Sequence, residues 1–430
     1  MHQVNFDINL EEICKIEGDA GLEVKVRDGK VENVRFKIQE YKRFYTQGMR
    51  GKRAEMVPQF VARICGTCSN AHLLASIEAV EKALDIQVTE QTQMLKILMV
   101  NGLMIRDHAL HLYLFALPDL FNVDSFLDFD ENDPEQNQML HDALAIKSVG
   151  NQLQVQTVGR SVHAPYAAVG GFTKTPEFNA KEMIEKLEGI RPAILRLIDV
   201  LMARKTTFHR DTTFAVIRGE KGWSFLEGKI IFSSGEVIEE VQFRDHLEHV
   251  VIPYSQASGY TYKGNSYLTG ALARLNLNKD QLHARTKEDC REVLGFFPST
   301  DVMLNNIAQA VETLHAIDES IDILTNFKFG EEKRVKPTKQ DGVGVGVIEA
   351  PRGLLFYKFV IEKGIIREGQ VVIPTGQNQM NIEQDIGKLV QDNLDMDRYK
   401  LEHEIEKLVR AYDPCMSCAA HFLKVKWDEK

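Results

Sequence analysis

Cysteine is scarce in this chain, with six in 430 residues. That is too few for a disulfide scaffold, so the fold must rest on a hydrophobic core. Net positive charge is absent too. The formal charge is −10, which argues against nucleic acid or an anionic membrane surface as a partner. There is no unbroken apolar run long enough for a membrane span. The most apolar stretch, MLKILMVNGLMIRDHALHLYLFAL, is interrupted by Lys96, Asn101, Arg106, Asp107, His108 and His111, which suits a buried helix beside a functional site. No basic segment followed by an apolar run opens the chain, so no signal peptide and a cytoplasmic location are expected. Internal repeats, low-complexity linkers and Ser/Pro-rich boundaries are also missing. One domain over 1–430 is expected, β-rich over about the first 60 residues and ending in a tail at 422–430.

What is present is ordinary globular material, 44% hydrophobic and 27% charged, able to bury a sizeable core. Residues 21–38, GLEVKVRDGKVENVRFKI, alternate apolar and polar around Asp28-Gly29, a hairpin pattern. In RICGTCSNAHLLASIEAVEKALDI, the residues Leu73, Leu74, Ile77, Val80 and Leu84 recur at helical spacing. Ser69 or Asn70 is the expected N-cap. Cys65 and Cys68 then lie in a loop feeding a helix N-terminus, which favours thiolate over thiol. Further helices are predicted at roughly 90–117, 135–157, 179–206, 303–326 and 380–411, and strands with glycine turns near 228–240 and 343–373. The predicted class is α+β, predominantly helical, with long buried helices and small peripheral antiparallel sheets.

Four of the cysteines form two C-x-x-C pairs, Cys65/Cys68 and Cys415/Cys418, near opposite ends of the chain. Cys14 and Cys290 stand alone and read as small buried hydrophobes. Four thiolates can hold structural zinc, a single iron, an iron–sulfur cluster or a softer redox metal. A zinc ribbon separates its pairs by only about 15–20 residues. Pairs this far apart point instead to a deep site closed by the whole domain. Each pair is followed by a histidine, His72 and His421, and a histidine that close can hydrogen-bond a bound sulfur and tune the metal.

RICGTCSNAH and DPCMSCAAH resemble the two nickel-binding signatures of the large (catalytic) subunit of nickel–iron hydrogenases. Five further segments are similar to that family in the same order: CKIEG, RDHALHLY, GRSVHAPYAAVGG, EAPRG and IPTGQN. The resemblance implies a catalytic subunit that splits H2 reversibly into protons and electrons. It implies Cys65, Cys68, Cys415 and Cys418 around nickel, with Cys68 and Cys418 also bridging to an iron that carries carbonyl and two cyanide ligands. Thiolates suit such an electron-rich centre better than imidazole or carboxylate. By the same resemblance Cys415 is the first proton acceptor and Glu17 takes the proton from it. Arg352 stands over the open metal position, oriented by Asp107 and Asp413. Thr375 and the backbone from Pro351 to Arg352 donate to the cyanides, Pro374 flanks the carbonyl, and His72 hydrogen-bonds Cys68. His108, His111 and His163 receive supporting or packing roles. The remaining histidines, including His246 and His249, are expected at the surface.

The chain departs from the family's pattern at Thr46, where a glutamate usually helps bind a magnesium-type ion beside the C-terminal histidine, here His421. Threonine is a weaker ligand for a hard dication, and Glu40 is the acid nearby. A tail after the motif histidine, which most of the family loses by proteolysis, is written here as FLKVKWDEK. The expected partners are a small subunit carrying iron–sulfur clusters and, beyond it, flavin or further electron-transfer subunits, in a cytosolic multi-subunit complex. The rival expectations are a hydrogen-sensing protein of the same fold and a metal-free precursor. A quinone-reducing relative from complex I would have lost the cysteine pairs.

Overall fold

A computed structural model of the chain describes residues 4–176, 178–204 and 206–420; His421 and the tail 422–430 lie outside the described residues. Strands Phe6–Leu10, Ala20–Arg27 and Lys30–Ile38 form an antiparallel sheet in sequence order. The turn joining the last two has φ 52° at Asp28 and 72° at Gly29, the double positive φ that a tight two-residue hairpin requires.

The core is a set of long helices. Glu90–Ala109 packs between Pro134–Val158 and Leu304–Asn326, and Ala180–Arg204 closes the group. The expected 90–117 helix is not uniform: after Ala109 it widens into a π-helical stretch, Leu110–Ala116, a feature that often re-aims side chains at functional sites. The expected 380–411 helix is two helices, Pro374–Asp392 and Arg398–Ala411. The second starts afresh at Asp397, whose side chain accepts the Lys400 N–H.

Five small sheets are present among the described residues. Their strand pairs are antiparallel apart from a short parallel contact between Tyr267–Leu268 and Thr213–Phe214. One sheet, Gly342–Ala350, Gly353–Glu362 and Ile365–Val372, is not peripheral. Its first strand is buried from Gly344 onward against the helix Ser69–Ala83. The glycines of GVGVGV are not turn residues. Gly342, Gly344 and Gly346 share one strand face, and a Cβ on them would run into the carbonyls of Ala83, Ala79 and Ala75. A period of two on the strand meets a period of four on the helix, so the two backbones approach without side chains between them.

Candidate metal centre

The helix Ser69–Ala83 begins at Cys68, not through a Ser69 or Asn70 cap: no side chain caps it. Those two side chains instead bind the segment from 161 to 164. Ser69 Oγ accepts the His163 N–H at 3.0 Å, and Asn70 Nδ2 donates to the Ser161 carbonyl at 3.2 Å. The Cys65–Cys68 loop is thereby fixed from behind. The second pair follows the helix Arg398–Ala411. Asp413 takes φ 50°, a left-handed conformation that aspartate tolerates better than most residues, and Pro414 prevents the helix from resuming. The short turn Met416–Ala419 then carries Cys418. All four sulfurs lie within 4.8 Å of one another. Cys65 is 3.5 Å from Cys415, and Cys68 is 2.8 Å from Cys418. No pair is joined as a disulfide.

Charge is arranged tightly around this cluster. Arg352 is buried, and its guanidinium donates to Asp107 Oδ2 at 2.7 Å, to Asp413 Oδ1 at 2.8 Å and to the Asp413 carbonyl at 2.7 Å. Burial alone would lower its affinity for a proton, but the two carboxylates outweigh that and hold it firmly cationic. Cys415 Sγ also meets Glu17 Oε2 at 3.0 Å, and the same oxygen accepts the Ser417 N–H at 3.1 Å. Burial, reinforced by the nearby Cys65 sulfur, raises the Glu17 carboxyl above the usual range. Hydrogen bonding from Cys415, then from Cys418 and Cys68, holds Cys65 well below an ordinary thiol. Burial pushes Cys415 and Cys418 up. Four thiolates packed this closely in a dry pocket repel one another, so full ionisation calls for a cationic partner. The donor set fits a soft transition metal in the +2 range.

The model of the nickel-dependent hydrogenase family matches residues 46–175 and 238–421. The chain belongs to that family. The alpha chain of sulfhydrogenase 1 from Pyrococcus furiosus is 31% identical over 99% of this chain and 100% of its own length. An F420-non-reducing hydrogenase subunit from Methanothermobacter thermautotrophicus is 28% identical over 96% of this chain and 94% of its own. Among solved structures, an NAD+-reducing nickel–iron hydrogenase in the H2-reduced state superposes with a TM-score of 0.85 at 22% identity, covering 97% of this chain and 99% of that one. This likeness establishes the fold. The protein is therefore a hydrogenase large subunit, an oxidoreductase, and its cofactor is a nickel–iron centre of the kind that carries carbonyl and cyanide ligands in this family.

The hydrogenase signatures thus converge in space, with some rearrangements. His72 Nε2 faces Cys418 Sγ at 3.4 Å rather than Cys68 as expected, because its helix lays the ring across the end of the second pair. Burial keeps that ring neutral, its pKa lowered to about 4. Thr375 Oγ1 accepts the Cys415 N–H at 2.9 Å, which leaves its own hydrogen free to donate. Pro374 opens the helix Pro374–Asp392, and Pro351 is buried beside Arg352. Cys14 is exposed, contrary to expectation, while Cys290 is buried. His315, expected at the surface, is buried and accepts the His283 N–H at 3.0 Å through Nδ1. Thr46 Oγ1 is buried without a partner among the described residues, and Glu40 approaches Gly18. Three contributors went unread in the sequence. Tyr357 OH sits 2.7 Å from His72 Nδ1. Gln309 donates to Asp413 Oδ2 at 2.9 Å. Arg274 donates to the carbonyls of Ala350 and Pro351 at 3.1 and 3.0 Å. Each lies in an element whose pattern advertises burial but not what the buried polar atom binds.

Proposed function

We propose that this subunit cleaves H2 reversibly, with Cys65, Cys68, Cys415 and Cys418 holding nickel and Cys68 and Cys418 shared with iron. The observation that carries this reading is the convergence of four buried sulfurs with a carboxyl group 3.0 Å from one of them. When bound, the nickel–iron centre supplies the electron-rich site at which H2 is split heterolytically. Cys415 Sγ receives the proton, and Glu17 Oε2 takes it at hydrogen-bond distance, its raised proton affinity bringing the carboxyl closer to that of the donor. Arg352 presents a fixed cation that Asp107 and Asp413 hold from two sides. Thr375 Oγ1 and the backbone N–H of Arg352, held in place by the preceding Pro351, would serve as donors to the cyanides, and Pro374 would supply apolar packing by the carbonyl.

Electrons leave to an iron–sulfur small subunit, since the described residues hold no second cluster of metal-ligating side chains. Relatives named as subunits of sulfhydrogenases and F420-non-reducing hydrogenases support a multi-subunit complex. We place it in the cytoplasm, as one domain; no described helix is long and apolar enough to cross a membrane.

The test is an infrared spectrum of anaerobically purified protein from its own host, read where metal-bound carbonyl and cyanide absorb, together with nickel and zinc content. One carbonyl and two cyanide bands with bound nickel are expected. Zinc in the four-cysteine site with no such bands would overturn the assignment.

A further inference from the structure

His111 occupies a place that the reaction outlined above does not use. It lies in the π-helical stretch, one turn beyond Asp107, and is buried. Its Nε2 faces the Arg410 backbone carbonyl at 2.8 Å. A carbonyl only accepts, so Nε2 carries hydrogen. Its Nδ1 faces Gln309 Oε1 at 2.6 Å. The glutamine cannot be turned the other way, because its Nε2 donates to the Asp413 carboxylate at 2.9 Å and a carboxylate likewise only accepts. Nδ1 therefore carries hydrogen as well.

We infer that His111 is a buried imidazolium, a positioning residue that acts through Gln309 and Asp413 on Arg352. The charges that face it agree. Asp413 Oδ2 is 4.0 Å from Nδ1. From the helix Leu304–Asn326 only the neutral Gln309 reaches the ring, while Glu312 is held by Arg274 and His108. From the helix Arg398–Ala411 the contact is a carbonyl; the Arg410 guanidinium turns away to Asp119 and Glu406 at 2.8 and 2.7 Å. On its own segment Phe115 meets the ring edge-on.

With a cation at 111, Asp413 faces a positive charge on each side, Arg352 at Oδ1 and His111 beyond Gln309. A neutral ring would set a nitrogen lone pair against an oxygen lone pair, at Gln309 or at the Arg410 carbonyl. Asp413 is thus gripped from both sides, by Arg352 on Oδ1 and by Gln309 on Oδ2. A carboxylate fixed at both oxygens cannot rotate, and neither can the guanidinium it holds.

Neutron diffraction from crystals of the complete enzyme exchanged into D2O reads the protonation directly. Deuterium on both Nδ1 and Nε2 is expected; a bare nitrogen on either side overturns the imidazolium. The positioning role is read from Gln309→Leu, which cuts the link and leaves His111 in place. Nickel content should be unchanged, H2 oxidation should fall about 10–100-fold, and the carbonyl and cyanide bands should shift. Unmoved bands with full activity would overturn the role. That role rests on the function proposed for Arg352, whereas the neutron result does not, so the two fail separately.

Discussion

Cys415 Sγ lies 3.0 Å from Glu17 Oε2, and the same two residues are joined through their backbones as a parallel bridge, with the Met416 N–H donating to the Glu17 carbonyl at 2.9 Å. The N-terminal strand region and the last described turn are thus stitched together at the point where a proton has to leave. Replacing Glu17 by Gln keeps an oxygen to accept the Ser417 N–H but removes the proton-accepting carboxylate. Nickel content and the infrared bands should be unchanged, while H2 oxidation should fall about 10²-fold or more. Normal turnover by Glu17→Gln would place the proton exit elsewhere.

Arg352 makes three hydrogen bonds from a planar, rigid head to two aspartates. Lysine keeps the charge but not the fork, and it cannot satisfy Asp107 and Asp413 together. Arg352→Lys should load metal normally and lose about 10–100-fold in turnover, measured with the metal content of the same sample. Undiminished activity would mean that a positive charge alone suffices there.

The glycine stripe of GVGVGV makes a prediction about folding rather than chemistry. Gly344 has ordinary backbone angles, so alanine there is not a conformational problem. Its methyl would press on the Ala79 carbonyl and the Ala83 amide. Ala79 and Ala83 belong to the helix that Cys68 opens, so a shift of that helix is transmitted toward the site. Gly344→Ala should lower stability by about 1–3 kcal/mol and reduce nickel loading. Gly29→Ala is an informative contrast, since Gly29 has open space but φ 72°, so only the local hairpin should suffer.

The site was legible because its residues come in short motifs whose chemistry is local: two thiols three apart, a histidine close behind, an arginine between proline and glycine. The hairpin at Asp28-Gly29 was legible because its turn chemistry is equally local. What escaped was set by tertiary partners. His72 bonds Cys418 and not Cys68 because the second pair arrives from the far end of the chain. Ser69 looked like a cap, but a better partner, the His163 amide, comes from a distant segment. Gln309 could not be singled out, since a glutamine on a buried helix face is informative only once Asp413 and His111 stand on either side of it. The break at Asn393 was hidden because both flanking helices carry the same apolar period.

Away from the metal centre, Glu383 offers a pH test of the scaffold. It sits on the helix Pro374–Asp392, buried, and accepts the Phe36 N–H at 3.0 Å and the Tyr254 hydroxyl at 2.9 and 3.0 Å. Burial outweighs those bonds and raises its pKa to about 7 from 4.5. A carboxyl whose folded pKa exceeds its unfolded one contributes stability that is complete below the unfolded value and is lost as pH rises through the folded one. The window is therefore roughly pH 4.5 to 7, and the loss above it is about 3 kcal/mol. Glutamine keeps an oxygen for both donors and cannot ionise. Glu383→Gln should match the parent protein near pH 4.5 and become the more stable of the two as pH approaches 8, in denaturant melts of the metal-loaded enzyme. Parallel stability curves for the two across that range would show that the carboxyl is already solvated enough to ionise freely.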